Sequence, residues 1–198
     1  MVGNDIVDIA KAKKDSNWQR PRFLDKLFTG KEQEFIKNSE DKTITVWQLW
    51  SMKEAAYKLY VQKHPSRFYA PKQFECVAHA SIWKVNYKEF SCYLSIKKTT
   101  DYIVSEARLI PHKMTSELVV FKDENLKIQR QVLRDKLIER ISKIESISTN
   151  SIEFQKSEFD IPIMKFDSKR MNVSLTHHGR FGAFVIDDFV SSSAVERF

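Results

Sequence analysis

Glu54 and Lys58 stand four residues apart in the run Trp47-Gln48-Leu49-Trp50-Ser51-Met52-Lys53-Glu54-Ala55-Ala56-Tyr57-Lys58-Leu59-Tyr60, a spacing that projects both from one face of a helix. A carboxylate and an ammonium on one face can hold a metal ion and a phosphate. The same pair can equally be a surface contact of about 0.3–0.5 kcal/mol, with Trp47 and Trp50 packing in a core. A second acid in an unusual place is Asp5, inside the strand-like run Val2 to Ile9. Alternation puts Asp5 and Val7 on one face and Asp8 with Ile6 on the other. An acid there is either hydrogen-bonded at a strand end or a metal- or phosphate-site carboxylate, and the pattern leaves both open. Gly3 allows close approach by a ligand or another backbone.

The elements that must position these groups read as follows. Pro21 can open a short helix carrying Phe23, Leu24, Leu27 and Phe28, and Thr29-Gly30-Lys31-Glu32 has the form of a capping box for a second, ending near Asn38. After a polar loop, Thr43 or Thr45 caps the long helix, which must end by His64 because Pro65 disfavours helical geometry before it. From Gln73 the pattern turns to strands, near Phe74–His79, Ile82–Tyr87, Phe90–Lys97 and Tyr102–Ile110. A break between Leu118 and Asn125 precedes an amphipathic helix marked by Leu126, Leu133, Leu137, Ile141 and Ile144. Strands are expected again at Ile152–Gln155, Ile163–Phe166 and Asn172–Thr176, with His177-His178-Gly179-Arg180 turning into Phe181–Ile186.

The two strand-rich stretches align. Leu94-Ser95-Ile96 and Asp101-Tyr102-Ile103-Val104 match Val173-Ser174-Leu175 and Arg180-Phe181-Gly182-Ala183 without gaps, at an offset of 79 that carries Glu54 onto Leu133 in the second long helix. Two similar α+β lobes are the simplest account, in residues 1–111 and 112–198, and the cleft between them is the natural ligand site, where Asp5 and Glu54 could face His177.

A chain of 198 residues, 42% hydrophobic, with five prolines, four glycines and no low-complexity tract, can bury a real core and leaves no flexible tether between lobes. Its 33 basic and 26 acidic residues give a net charge of +7, suited to nucleic acid, phosphorylated cofactors or an acidic protein. No apolar run reaches membrane-spanning length and the N-terminal residues lack a signal-peptide pattern, so a cytoplasmic protein is expected. Cys76 and Cys92 have no metal-ligand spacing and read as buried thiols.

Four segments together resemble the 4′-phosphopantetheinyl transferase superfamily: Gly3-Asn4-Asp5-Ile6-Val7-Asp8-Ile9; Arg22-Phe23-Leu24 with Phe28-Thr29-x-x-Glu32; Trp50-Ser51-Met52-Lys53-Glu54-Ala55-Ala56-Tyr57-Lys58; and Val173-Ser174-Leu175-Thr176-His177. The resemblance implies two pseudo-symmetric lobes, each a long helix packed on an antiparallel sheet. It implies transfer of the phosphopantetheine arm of coenzyme A to a serine of an acidic acyl or peptidyl carrier protein, as in fatty acid or polyketide synthesis. Asp5 and Glu54 would bind magnesium, Lys58 would contact phosphate and, with Glu54, carry the catalysis, and Ser174 and His177 would help hold coenzyme A. Val7 stands where two-lobe members carry a second acid, and Asn4 where an apolar residue is usual. Near Asp160-Ile161-Pro162 a Gly-Lys-Pro segment survives only as Pro162, leaving Lys165 or Arg180 as substitute basic contacts.

The lobe order is inverted relative to the usual two-lobe enzymes, because the Ser174–His177 motif ends the chain and the Asp5 strand begins it. Joining Ile186 to Val2 would restore it. A circularly permuted, monomeric two-lobe enzyme is therefore expected, with neighbouring termini; the alternative is a single-lobe trimeric synthase with an insertion between Ile82 and Phe159. Two further readings compete. A basic nucleic-acid-binding module would explain the charge but not Asp5 or Glu54, and an inactive scaffold would bind carrier protein without chemistry.

Overall fold

The computed structural model describes residues 1–68, 70–80 and 82–187. Its organising element is the strand β1 (Val2–Asp8), buried along its whole length. Four further strands complete an antiparallel sheet in the order β1-β5-β4-β3-β2: β2 (Glu75–His79), β3 (Ile82–Tyr87), β4 (Phe90–Lys98) and β5 (Tyr102–Arg108). The second sheet has the same order in its own elements, β6-β10-β9-β8-β7, from β6 (Thr115–Val120), β7 (Glu153–Lys156), β8 (Pro162–Phe166), β9 (Lys169–His178) and β10 (Phe181–Ile186). Each sheet is served by one long helix, α4 (Lys42–Lys63) or α5 (Leu126–Glu145). The fold is thus α+β in two lobes.

The internal repeat is real at the level of topology. The offset near 79 holds from β2 and β7 through β5 and β10. It breaks at the first strands, because residues 9–41 of lobe one carry three short helices where lobe two has only the loop 121–125. These are α1 (Ile9–Asp15), α2 (Phe23–Leu27) and α3 (Gly30–Asn38). Two elements were not legible in the pattern. No element is expected between Ile110 and Leu126, yet β6 lies there, its burial alternating only weakly, and completes the second sheet against β10. The apolar run from Val2 continues past β1 into α1, because Asp8 ends the strand by capping that helix, its Oδ1 accepting from the N–H groups of Ala10 and Lys11. The cap of α4 is Asp41, not Thr43 or Thr45; its Oδ1 accepts from Ile44 N–H, while the Thr45 hydroxyl bonds back to Asp41 O.

The capping box of α3 is present, and it does more than cap. Glu32 accepts from Thr29 N–H through Oε2 and from Cys76 N–H through Oε1, and it pairs with Lys53 at 2.8 Å, both side chains being almost wholly buried. Lys53 also donates to the carbonyls of Pro71 (3.1 Å) and Phe74 (2.5 Å). Every polar group of the pair is thus engaged, the condition under which a buried ion pair can repay its desolvation. It ties α3, α4 and the segment leading into β2 together one residue away from Glu54. Cys76 and Cys92 are free, buried thiols, Cys92 pushed up to about 12 by burial, so neither is poised for thiolate chemistry.

Gly3 sits where β1 crosses α4. A Cβ there would fall 2.1 Å from Ala55 O and 2.7 Å from Leu59 N, so the strand lies directly on the helix backbone, and the close approach that glycine allows is to a backbone rather than to a ligand. The neighbouring Asn4 is 1% exposed and its side-chain amide has no partner among the described residues. Beyond the other end of the fold, the Met1 ammonium pairs with Asp187, just after β10, so the start of β1 and the end of β10 are neighbours in space. Gly3→Ala should push β1 off α4 and cost about 1–3 kcal/mol. Thermal unfolding is expected to register this as a Tm lowered by about 2–4 °C per kcal/mol; an unchanged Tm would mean that the approach is not tight.

Candidate active site

β1 is an edge strand of the first sheet, and its outward N–H groups would be open to water or to another chain. They are instead received by side chains of β9 at two-residue spacing. Asn4 N–H donates to Ser174 Oγ (3.1 Å), Ile6 N–H to Thr176 Oγ1 (3.3 Å) and Asp8 N–H to His178 Nδ1 (2.9 Å). Strand alternation on β9 gives these three side chains one face, and the edge of one lobe docks on the face of the other. Lys58 completes the edge from α4, donating to Asn4 O at 2.8 Å and to Asp5 Oδ1 at 3.1 Å.

The alternate β1 residues are held from the other side. Asp5 and Val7 border a cleft of about 460 Å³ together with Glu54, Trp50, His177 and His178. The structure therefore brings Asp5, Glu54 and His177 to one interlobe cleft. The Glu54–Lys58 face of α4 is no exposed surface pair, since Lys58 reaches back to β1. Lys58 and Ser174 also border a second, smaller groove of about 210 Å³ against the segment Phe159–Pro162. Ser174 itself is 2% exposed and its oxygen is committed to Asn4 N–H.

Asp8 lies outside this cleft's acid set, as strand alternation required. Besides capping α1, its Oδ2 accepts from Arg180 N–H (3.0 Å) and from Arg180 Nε (3.2 Å). Burial alone would raise its carboxyl, but the Arg180 and Lys11 N–H groups and the guanidinium outweigh this and hold it below the ordinary value. Gly179, at φ +58°, makes the turn that brings Arg180 there, and a Cβ on it would lie 2.5 Å from Asp8 Oδ2. Arg180 also reaches Asp101 at 3.6 Å, so this base is engaged with two lobe-one carboxylates. Lys165 is exposed on β8.

The two histidines have opposite tautomers. His177 Nε2 accepts from Arg130 Nε at 3.4 Å, which leaves its proton on Nδ1, whereas His178 Nδ1 accepts from Asp8 N–H, which leaves its proton on Nε2. Burial lowers both from the usual imidazole range; Arg130 and Lys58 lower His177 further, while Asp5 and Asp8 partly offset the shift at His178. Both are neutral donor–acceptors at neutral pH. Thr176, His178 and Arg130 are not evident from the sequence; the two-residue spacing of Ser174, Thr176 and His178 is the available signal, but the turn residues around Gly179 point to a strand end at Thr176, whereas β9 runs on to His178.

Three carboxylates border this cleft, Asp5, Glu54 and Asp15, the last paired with Lys11 at 2.6 Å; Asp5 and Glu54 could hold a cation, and no group of three His, Cys, Asp or Glu suited to a metal occurs among the described residues. Two carboxylates fit magnesium, which is commonly bound by one or two protein carboxylates, keeps several waters and takes substrate phosphate oxygens. Where a second acid could have stood, Val7 is buried in the lobe-one core.

A model of the 4′-phosphopantetheinyl transferase superfamily matches residues 1–105, more than half of the chain, which therefore belongs to that superfamily. That superfamily carries out phosphopantetheine transfer, with coenzyme A as co-substrate and carrier proteins as acceptors. A search of curated proteins finds no match. No helix among the described residues is long and apolar enough to cross a membrane.

The neutral state of His178 carries a pH signature. With its folded value below the usual 6.5, the unfolded chain binds more protons as pH falls through that range, so stability is complete above it and declines below. Metal-free protein should therefore lose Tm between pH 7 and 5. In His178→Asn, which keeps an acceptor near the δ position without titrating, the loss should shrink; an identical decline would exclude His178 as a contributor.

Proposed function

We propose that this transferase moves 4′-phosphopantetheine from coenzyme A to a serine of an acidic acyl or peptidyl carrier protein, using magnesium held by Asp5 and Glu54. The observation that carries the reading is the convergence of Asp5, Glu54 and His177 on one interlobe cleft, with Lys58 bonded to Asp5 at its edge. A surface that binds a nucleic-acid backbone would not line its cleft with carboxylates.

In the proposed reaction the carrier serine oxygen attacks the phosphorus that bears the pantetheine arm. A new P–O bond forms, the bond to the bridging oxygen breaks, and adenosine 3′,5′-bisphosphate leaves. The metal, when bound, neutralises diphosphate charge and supports the departing oxygen. In this reading Glu54 takes the serine proton, directly or through an ordered water. Lys58 donates to phosphate, its ammonium already held at the cleft's edge by Asn4 O and Asp5. His177 and Ser174 hold the coenzyme A phosphates, His177 through its Nδ1 proton or by exchanging Arg130 for the ligand. Trp47, Trp50 and Val7 supply an apolar wall that excludes water.

In this reading the chain is a permuted two-lobe enzyme, divided near residues 111 and 112, that works as a cytoplasmic monomer. The net charge of +7 favours encounter with an acidic carrier. Incubation with coenzyme A, magnesium and an apo carrier protein should add the mass of one phosphopantetheine to the carrier. Asp5→Asn and Glu54→Gln should each reduce this at least about 100-fold, as loss of a group acting on transition-state charge does, with circular dichroism unchanged. Wild-type rates in either variant would remove that residue from the site, and no mass gain on any carrier, with no binding of coenzyme A, would overturn the enzyme reading.

A further inference from the structure

Thr176 belongs to lobe two, yet its hydroxyl reaches the lobe-one carboxylate. Its oxygen accepts from Ile6 N–H at 3.3 Å, and its single proton is donated to Asp5 Oδ1 at 2.9 Å. The residue is 7% exposed and sits on β9, so the hydroxyl has little freedom to turn elsewhere. Lys58 Nζ donates to the same Oδ1 at 3.1 Å. Two donors from two different elements, β9 and α4, thus converge on one oxygen of Asp5. That convergence fixes the rotation of the carboxylate and commits Oδ1, so that Oδ2 is the oxygen left for a cation.

Resting on the magnesium reading above, we infer that Thr176 is a positioning residue: it presents Asp5 Oδ2 to the metal and makes assembly of the metal site depend on docking of lobe two. Groups that orient a metal-binding carboxylate commonly change affinity by about 10–100-fold when removed. Thr176 has that place for Asp5, and it does so across the interlobe seam. Ser174, two residues earlier, shares its role of accepting from β1 but makes no hydrogen bond to the acid, which separates holding the seam from aiming the carboxylate.

The test is titration of Mn²⁺, as a spectroscopic stand-in for magnesium, into the full chain with coenzyme A present, reading free Mn²⁺ by electron paramagnetic resonance below the Tm of each variant. Thr176→Val should weaken Mn²⁺ binding by about tenfold or more, and Thr176→Ser, which keeps the hydroxyl, should stay within about threefold of the wild type. Val also orphans Ile6 N–H and will lower Tm, but a purely structural role would leave the affinity of the folded protein unmoved. Should Val fail to fold, Thr176→Ala leaves room for a water to accept from Ile6 and carries the same expectation. Wild-type Mn²⁺ affinity in Thr176→Val or Thr176→Ala overturns the positioning role alone. No Mn²⁺ binding by the wild type overturns the magnesium reading and this inference with it.

Discussion

Everything in this protein that bears on chemistry depends on how one edge strand is covered. An edge strand cannot leave its N–H groups unpaired in a buried seam. β1 solves this through side chains: Ser174, Thr176 and His178 each receive one N–H of Asn4, Ile6 or Asp8. Alternation then does the rest. With the even-numbered backbone groups turned to β9, the odd-numbered ones pair with β5, and Asp5 and Val7 are left facing the cleft and α4. The acid's position is therefore set by a hydrogen-bond constraint that concerns the backbone.

The helix of Glu54 is anchored to the same strand by different means. Gly3 lets β1 lie on the α4 backbone, Lys58 bonds Asn4 O and Asp5, and Lys53 is sunk into a saturated ion pair with Glu32. Successive residues of the Lys53-Glu54 pair thus have opposite fates, one locked into the core and the other half-buried at the cleft. On the far side of the seam, Asp8 gathers the α1 cap and both the backbone and side chain of Arg180, so the last residue of β1 closes the lobe junction while the middle residue serves the cleft.

Much of this was legible in the sequence because it follows from local rules. The capping box at Thr29, the end of α4 before Pro65, most strands and the facing of Asp5 away from Asp8 depend on spacing and turn chemistry alone. The motif residues Asp5, Glu54 and His177 border one cleft. What the sequence hid was long-range. β6 carries a weak alternation and becomes a strand only because β10 is there to pair it. Asp8 reads as the end of a strand, yet it is equally the start of a helix. The bond from Thr176 to Asp5 spans two lobes, and nothing in the local pattern of either segment indicates it.

The account's central claim is that one chain supplies both sides of the site, Asp5 and Glu54 from lobe one and His177 with its β9 neighbours from lobe two. The most direct measurement is native mass spectrometry of the protein with coenzyme A. The account requires a monomer of 23.3 kDa that takes up one coenzyme A. A trimer that binds coenzyme A only when assembled, with no uptake by the single chain, would contradict it.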